Sequence, residues 1–131
     1  MKIQARIAAA ATLAALIAAT ATIAQAPGIK RTLLQRVDIG NNMELVMGLA
    51  EIAPGGSTGP HTHFGSETGY AMEGASLLEV EGEAAKPLTA GVSYTIPAGK
   101  VHDAKNTGST PAKVLAVYIV EKGKPLATPA K

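Results

Sequence analysis

The sequence contains no cysteine and no tryptophan, and aromatic residues of any kind are few. The lack of cysteine excludes disulfides, thiolate metal ligands, a cysteine nucleophile and the lipidated cysteine of a bacterial lipoprotein. The aromatic set consists of Phe64, Tyr70, Tyr94 and Tyr118. So small a set argues against a stacking platform for single-stranded nucleic acid.

An excess of charge of one sign is also missing once the N-terminal segment is set aside. The 131 residues include 12 Lys and Arg against 10 Asp and Glu, but Lys2 and Arg6 fall in a predicted leader, which leaves ten basic residues against ten acidic ones. A near-neutral mature protein has no electrostatic footprint for nucleic acid or anionic lipid. We therefore expect no nucleic-acid partner.

Residues 1–24 have the order of a secretory signal peptide: two positive charges, an apolar Ala- and Leu-rich stretch, then small residues. Ala24-Gln25-Ala26 resembles a cleavage signal, but Pro27 hinders cutting after Ala26, so cleavage is predicted after Ala24, with Ala21 next. An uncleaved anchor is the alternative, although the stretch is weakly hydrophobic for a span of about 20 apolar residues. We predict a helical leader that is removed, no stable membrane association afterwards, and a periplasmic or secreted protein.

Beyond the leader, short apolar segments alternate with Gly, Pro and Asn turns, and no helical periodicity remains. Residues 25–32 are predicted to be a linker, residues 33–121 one β-domain, and residues 122–131 a flexible tail. Turn signals roughly every eight to twelve residues favour a sandwich or barrel. The clearest predicted strands are Leu33 to Ile39, Met43 to Ala53, Leu77 to Glu83, Val92 to Ile96 and Lys113 to Val120, the first ending at a Gly40-Asn41-Asn42 turn.

Three carboxylates share one face of the predicted strand over residues 77–83, namely Glu79, Glu81 and Glu83, while Leu78 and Val80 share the other. Such a set invites an acid/base interpretation. Same-face carboxylates on an alternating strand are more typical of a solvated surface. We adopt the solvated-face interpretation.

The three histidines are placed where they can converge with one glutamate. His61 and His63, at i and i+2, leave the same face of a strand, and an antiparallel return after a short turn would bring Glu67 beside them. His102 follows the rigid turn that contains Pro97. Three imidazoles and one carboxylate suit one divalent transition metal ion (Zn, Cu, Mn, Fe or Ni) better than Ca or Mg. The alternative, hydrogen-bonded histidines without metal, leaves a desolvation cost.

These residues stand in two spaced motifs that resemble those of the cupin superfamily. The first, G-x5-H-x-H-x3,4-E-x6-G, is matched by Gly55, His61, His63, Glu67 and Gly74, and the second, G-x5-P-x-G-x2-H-x3-N, by Gly91, Pro97, Gly99, His102 and Asn106. The short interval between them is typical of small exported single-domain bacterial cupins with a type-2 domain. Val92 stands where many members have Asp, a position that is not a ligand.

The resemblance implies an all-β fold, a small jelly-roll β-barrel with the metal inside its mouth, and a possible homodimer. It also implies positive φ or close backbone approach at Gly55, Gly74, Gly91 and Gly99. Asn106 is interpreted as a turn or strand-end hydrogen-bonding residue. Asp103 is expected to point away from the metal.

Side-chain sizes near the predicted ligands suggest room for a compact ligand. Gly69 and Ala71 share the face of Glu67, and Ala104 shares that of His102, so we predict that they leave space above the metal. On the opposite face, Tyr70 and Met72 are interpreted as packing or dimer contacts.

Two functions from different classes fit this site. One is a small metalloenzyme, of dioxygenase, isomerase or decarboxylase type, acting on a compact oxygen-rich substrate such as an enol, diketone, hydroxy acid or phenol chelated to the metal. With no spare His or Cys, either Glu67 or a metal-bound hydroxide would serve as base, and Glu67 is the candidate catalytic side chain. The alternative is a non-catalytic periplasmic protein that binds metal or a small ligand, favoured by the few aromatic and acid/base residues expected around the site.

Overall fold

The computed structural model describes residues 27–131, which form ten β-strands and no helix. No helix in this range is long and apolar enough to cross a bilayer. The predicted signal-peptide helix and its cleavage site lie outside the described residues. The strands are β1 Ile29–Gly40, β2 Met43–Ile52, β3 His61–Thr62, β4 Gly65–Glu73, β5 Ala75–Val80, β6 Lys86–Thr89, β7 Ser93–Ile96, β8 His102–Lys105, β9 Ala112–Glu121 and β10 Thr128–Pro129.

Two antiparallel five-stranded sheets make up the fold. The first sheet has the order β1-β2-β9-β4-β7 and the second has the order β10-β3-β8-β5-β6. Strands β2 to β9 have the connectivity of an eight-stranded jelly roll, and β1 and β10 extend the two sheets next to β2 and β3. The predicted all-β jelly-roll architecture is therefore confirmed for the described residues.

The first hairpin begins earlier than predicted but turns where predicted. Asn41 (φ 52°) and Asn42 (φ 59°) both have left-handed backbones, the requirement of a two-residue type I′ turn. Strand β1 starts at Ile29, inside the predicted linker, because Ile29 pairs with Ile52 and is buried. A single buried residue at a strand start leaves no alternating pattern for sequence analysis to detect.

A β-bulge in β1 decides which of its side chains face the interior. The register with β2 shifts between Leu33 and Gln35, so Leu34 is an extra residue. The shift brings Arg36 to the same side as Arg31, and both arginines line the interior cavity described below. Without the bulge, strict alternation would turn Arg36 outward.

Strand β1 also exposes apolar side chains along the edge of the first sheet. The exposed fractions of Leu33, Leu34, Val37 and Ile39 lie between 46% and 60%. On β4, Tyr70 and Met72 are likewise exposed, so both lie on the outer face as predicted. Their role as dimer contacts stays a prediction.

The alternating segment over residues 77–83 has the two faces predicted for it. Leu78 is buried in an apolar cluster with Ala71, Leu88 and Ile96. Glu81 and Glu83 are exposed beyond the end of β5, and Glu79 forms an ion pair with Lys105. These contacts agree with a solvated face and give no acid/base cluster there. A second cluster of Ile29, Ile52 and Ala112 completes the core.

Within residues 122–131, predicted to be a flexible tail, strand β10 instead extends the second sheet. Thr128 pairs with Thr62, and Pro129 pairs with His61, while the N–H of Ala130 donates to the carbonyl of Pro60 (2.9 Å). Pro129 is tolerated because β10 is an edge strand. A two-residue strand held by distant partners has no local sequence signal. The Gly- and Pro-rich composition of this segment favoured a flexible tail instead.

The four motif glycines have the backbone that the resemblance implies: Gly55, Gly74, Gly91 and Gly99 all have positive φ. At Gly74 the requirement is twofold, because an added Cβ would also lie 2.5 Å from the carbonyl oxygen of Pro111. These turns set the lengths of the strands that carry the site.

Candidate metal centre

The three histidines lie side by side at one end of the second sheet. His61 in β3 stands directly opposite His102 in β8, and His63 follows β3 at once. All three are buried, and their ring centroids are 4.2–5.1 Å apart. The predicted shared face of His61 and His63 is therefore observed.

Glu67 reaches the histidines by a route that differs from the predicted one. It lies on β4, which belongs to the other sheet, so the chain crosses between sheets instead of folding back in a hairpin. At the crossing, a Cβ on Gly65 would lie 1.9 Å from the carbonyl oxygen of Ile119, so only glycine fits. The carboxylate then points across the sandwich: its Oε2 lies 2.8 Å from Nε2 of His63 and 3.1 Å from Nε2 of His102.

The turn that precedes His102 is tied to the segment that carries the other ligands. Gly99 adopts φ 74°, and its N–H donates to the carbonyl of His63 (3.0 Å). The predicted rigid turn thus positions His102 through a backbone hydrogen bond as well as through Pro97.

Backbone carbonyls fix the protonation of all three imidazoles. Each Nδ1 lies at hydrogen-bonding distance from a carbonyl oxygen: His61 from Gly59 (2.7 Å), His102 from Lys100 (2.9 Å) and His63 from Leu126. A carbonyl only accepts, so each Nδ1 carries a proton and each Nε2 of the neutral ring keeps a lone pair. The three Nε2 lone pairs and the Glu67 carboxylate form the ligand set.

This ligand set fits a transition metal ion. The four ligand atoms lie within 4.8 Å of one another, and three imidazoles with one carboxylate are a mixed N/O set. Among the described residues, the buried Nε2 of His63 makes no hydrogen bond although it lies 2.8 Å from Oε2 of Glu67. An unprotonated nitrogen facing a carboxylate oxygen has no proton to share, whereas a cation between them satisfies both.

Tyr94 is a site residue that sequence analysis missed. Its hydroxyl donates to Oε1 of Glu67 (2.6 Å), which leaves Oε2 turned to the histidines. The ring occupies the space above Gly69, where a Cβ would lie 2.3 Å from it. Gly69 and Tyr94 are register partners on β4 and β7, so only knowledge of the strand register could have revealed the pair.

In the metal-free cluster, burial and neighbouring groups shift the pKa values of its members in different directions. Burial lowers the pKa of His61 to about 4, so this ring is neutral at pH 7. For Glu67, burial opposes ionisation, but the adjacent imidazoles of His102 and His63 and the hydrogen bond from Tyr94 outweigh it and hold the carboxyl pKa well below its usual range. For His102, burial lowers the pKa, and the contact with Glu67 more than reverses this, so the net shift is upward.

The four candidate ligands line a cavity of about 340 Å³, so they are accessible from that space. The predicted space exists, but of the three small residues predicted to create it, only Ala104 lines it. The room beside Gly69 is filled by Tyr94, and Ala71 packs in the apolar core. The other small lining residues are Gly48, Ala50, Ala116 and Ala127.

More polar and aromatic groups surround the site than the sequence led us to expect. Besides Tyr94, the cavity is lined by Arg31, Arg36 and Tyr118. Tyr118 lies with its ring 4.8 Å from that of His63. Burial and the nearby charge of Glu67 raise the pKa of Tyr118, so its hydroxyl stays protonated. The expectation that few aromatic and acid/base residues would surround the site is therefore corrected.

Asp103 and Asn106 have the structural roles predicted for them. Asp103 points away from the centre and accepts hydrogen bonds from the hydroxyls of Ser57 and Thr58 (2.7 and 2.9 Å). Asn106 donates through Nδ2 to the carbonyls of Ile52 and Thr110. Together they anchor the loop that precedes His61.

Comparison with known proteins places this geometry in a family context. The sequence profile of the cupin domain matches residues 48–118. Nectarin-1 of Nicotiana plumbaginifolia is 31% identical over 104 residues, covering 76% of this chain and 41% of that protein. The rhicadhesin receptor of Pisum sativum is 33% identical over 90 residues, covering 65% and 42%. The chain spans about two fifths of the length of these relatives.

Solved structures share the fold at lower identity. The polyketide cyclase RemF from Streptomyces resistomycificus aligns with a TM-score of 0.66 and 23% identity, covering 83% of this chain and 77% of that one. A recombinant oxalate oxidase in complex with glycolate aligns with a TM-score of 0.63 and 24% identity, covering 78% and 55%. At these identities the likeness shows a common fold.

Proposed function

The chain belongs to the cupin family, and from that premise we propose that it is a small metalloenzyme whose His61, His63, Glu67 and His102 hold one divalent transition metal ion. Its substrate is a compact, oxygen-rich molecule that binds in the cavity. The observation that carries this proposal is the orientation of the three imidazoles, each held by a carbonyl at Nδ1 so that Nε2 keeps a lone pair, with the four ligand atoms within 4.8 Å of one another.

A bound divalent ion would supply Lewis-acid binding of substrate oxygens and stabilise negative charge that develops on them. The side chains around it have supporting roles. Tyr94 keeps one oxygen of Glu67 occupied and so fixes the direction of the other. Tyr118 stays protonated and can donate a hydrogen bond to a ligand in the cavity. Apolar walls limit the access of water.

The choice between an enzyme and a binding protein depends on the groups that can move a proton. The depressed pKa of Glu67 weakens it as a general base and favours its role as a ligand, so its catalytic assignment stays a prediction. The protonated Tyr118 at the cavity wall supports an enzyme, as does the fold shared with an oxalate oxidase that was solved with glycolate. A non-catalytic binding protein is the second candidate, supported by the relative named as a receptor.

A metal titration tests the proposal directly. We expect the wild-type protein to bind one equivalent of Co²⁺ or Zn²⁺, and Glu67→Gln to lower the affinity at least about tenfold, because a charged ligand is lost. Glu79→Gln is the matched control, since Glu79 lies on the outer face and pairs with Lys105. Equal affinities for the two variants would contradict the assignment. Product screens with the loaded protein then separate an enzyme from a binding protein.

We also propose that the protein acts in the periplasm or outside the cell, and that it forms a homodimer. The leader-like residues 1–24 support the first point. The exposed apolar side chains of the edge strand β1 support the second. Mass spectrometry of the mature N-terminus and light scattering check each in turn; an intact Met1 or a monomeric mass would refute the respective statement.

A further inference from the structure

Arg31 lies in the wall of the cavity with most of its hydrogen-bonding capacity unused. It is half-buried on the interior side of β1 and lines the same cavity as the four candidate ligands. Its Nη2 donates to the carbonyl oxygen of Thr58 (3.2 Å), across the gap between β1 and the loop that leads to His61. A guanidinium has five N–H donors, and this contact uses one of them on a neutral acceptor.

Arg36 provides an internal comparison on the same wall. It also lines the cavity, but its guanidinium forms an ion pair with Glu44, a buried carboxylate on β2. The charge of Arg36 is therefore balanced within the protein. Within residues 27–131, Arg31 has no carboxylate within salt-bridge distance. The charge of Glu67 acts on the guanidinium only from beyond that distance, so the N–H donors of Arg31 remain available to an anionic ligand.

The charge of the candidate metal centre points the same way. Three neutral imidazoles and one carboxylate would leave a bound divalent ion with one net positive charge, and Arg31 adds a second. A cavity of about 340 Å³ with two positive centres favours a small ligand with more than one anionic group.

We propose that Arg31 binds a carboxylate of the ligand, so that the ligand is a small acid whose Arg31-bound carboxylate is separate from the oxygens that face the four-residue centre. This inference rests on the proposed function, because it assumes that the other end of the ligand binds there. A planar guanidinium binds a carboxylate through two parallel hydrogen bonds, and Arg31 has the donors to do so.

Matched pairs of acids test the inference. The probes are 2-hydroxy diacids of three lengths (tartronate, malate and 2-hydroxyglutarate) and monoacids that carry a methyl group in place of the distal carboxylate (lactate, 2-hydroxybutyrate and 2-hydroxypentanoate). Calorimetry on Co²⁺-loaded protein measures affinity, and the visible absorption of Co²⁺ reports binding at the metal. We expect at least one diacid to bind about tenfold or more tightly than its monoacid partner.

Variants assign that preference to one residue. Arg31→Gln should abolish it, lowering the affinity for diacids more than the affinity for monoacids, and Arg31→Lys should retain part of it. Lys30→Gln is the matched control, because Lys30 is the neighbouring cation on the outer side of β1, where it pairs with Glu51. Circular dichroism confirms that each variant folds, and the Lys variant carries the test if the Gln variant does not.

The two readouts separate the failure of this inference from the failure of the proposed function. Equal affinity for diacids and monoacids, or a preference that persists in Arg31→Gln, would overturn the role of Arg31. An Arg31-dependent preference without any change in Co²⁺ absorption would support the carboxylate site and overturn chelation at the four-residue centre. Absence of acid binding to Co²⁺-loaded protein would overturn the inference, whereas failure of the protein to take up Co²⁺ would overturn the proposed function as well.

Discussion

At the scale of single residues, the position of Glu67 depends on neighbouring residues that carry little signal in the sequence. Gly65 lets the chain cross between sheets, and Gly69 leaves room for the ring of Tyr94, whose hydroxyl holds Oε1. Removing such an orienting partner typically costs a metal site about 10- to 100-fold in affinity. The positioning group is thus a tyrosine that belongs to neither motif.

Tyr94→Phe keeps the ring that fills the space above Gly69 and removes the hydroxyl. We expect the affinity for Co²⁺ to fall about tenfold, because the Glu67 carboxylate loses the donor that fixes it. Equilibrium dialysis measures this change, and Tyr70→Phe, on the exposed outer face of the strand that bears Glu67, should leave it unaltered. Equal affinity in Tyr94→Phe and wild type would remove Tyr94 from the site.

The residues of the candidate site fall into two groups: those that a sequence motif identifies and those that only the strand register places there. His61, His63, Glu67 and His102 were predictable because their spacing forms two recognisable motifs, and the structure brings all four together. Tyr94, Tyr118 and Arg31 were not, because each faces the cavity only through the register of strands that are distant in sequence. Glu67 was predicted as a ligand, but its approach from the other sheet was not.

At the scale of elements, the segment that contains β10 acts on the site despite its weak sequence signal. The carbonyl of Leu126 accepts the Nδ1 proton of His63, and Leu126 and Ala127 line the cavity. The outline of the sheets was predictable from alternation and turns, as the Asn41-Asn42 hairpin shows. The start of β1 and the whole of β10 were not, because pairing with distant strands decides them.

Truncation after Pro125 tests the role of this segment. Without Leu126 to Lys131, His63 loses its carbonyl acceptor and the cavity loses part of its wall, so we expect the affinity for Co²⁺ to fall about 10- to 100-fold. Removal of Lys131 alone is the control, since it preserves the hydrogen bond from Ala130 to Pro60. Unchanged affinity in the longer truncation would show that the segment is dispensable.

At the scale of the whole molecule, the cluster links stability to pH in the metal-free protein. His61 has a folded-state pKa of about 4 against an ordinary value of 6.5, so the unfolded chain binds more protons between these values. Stability therefore falls as pH is lowered from 6.5 to 4, by up to about 3 kcal/mol. Glu67, whose pKa is lowered, adds to the loss only below its ordinary value of 4.5. His102, whose pKa is raised, acts above 6.5 with the opposite sign.

Urea unfolding of the metal-free protein between pH 7 and pH 4 measures this dependence. We expect the midpoint to decline steadily below pH 6.5 in the wild type and to change less in His61→Gln, which carries no titrating ring. A wild-type midpoint that is flat over this window, or an equal slope in the variant, would show that His61 is not the group responsible.

The four candidate ligands come from both layers of the sandwich: the histidines from the side of β3 and β8, and Glu67 from β4. An ion bound at the centre would therefore connect the two sheets. Its removal would break no backbone hydrogen bond within either sheet. The two sheets would nevertheless separate more easily at the end that carries the site. After treatment with a chelator, the protein would keep its overall fold but would be cleaved more readily by a protease.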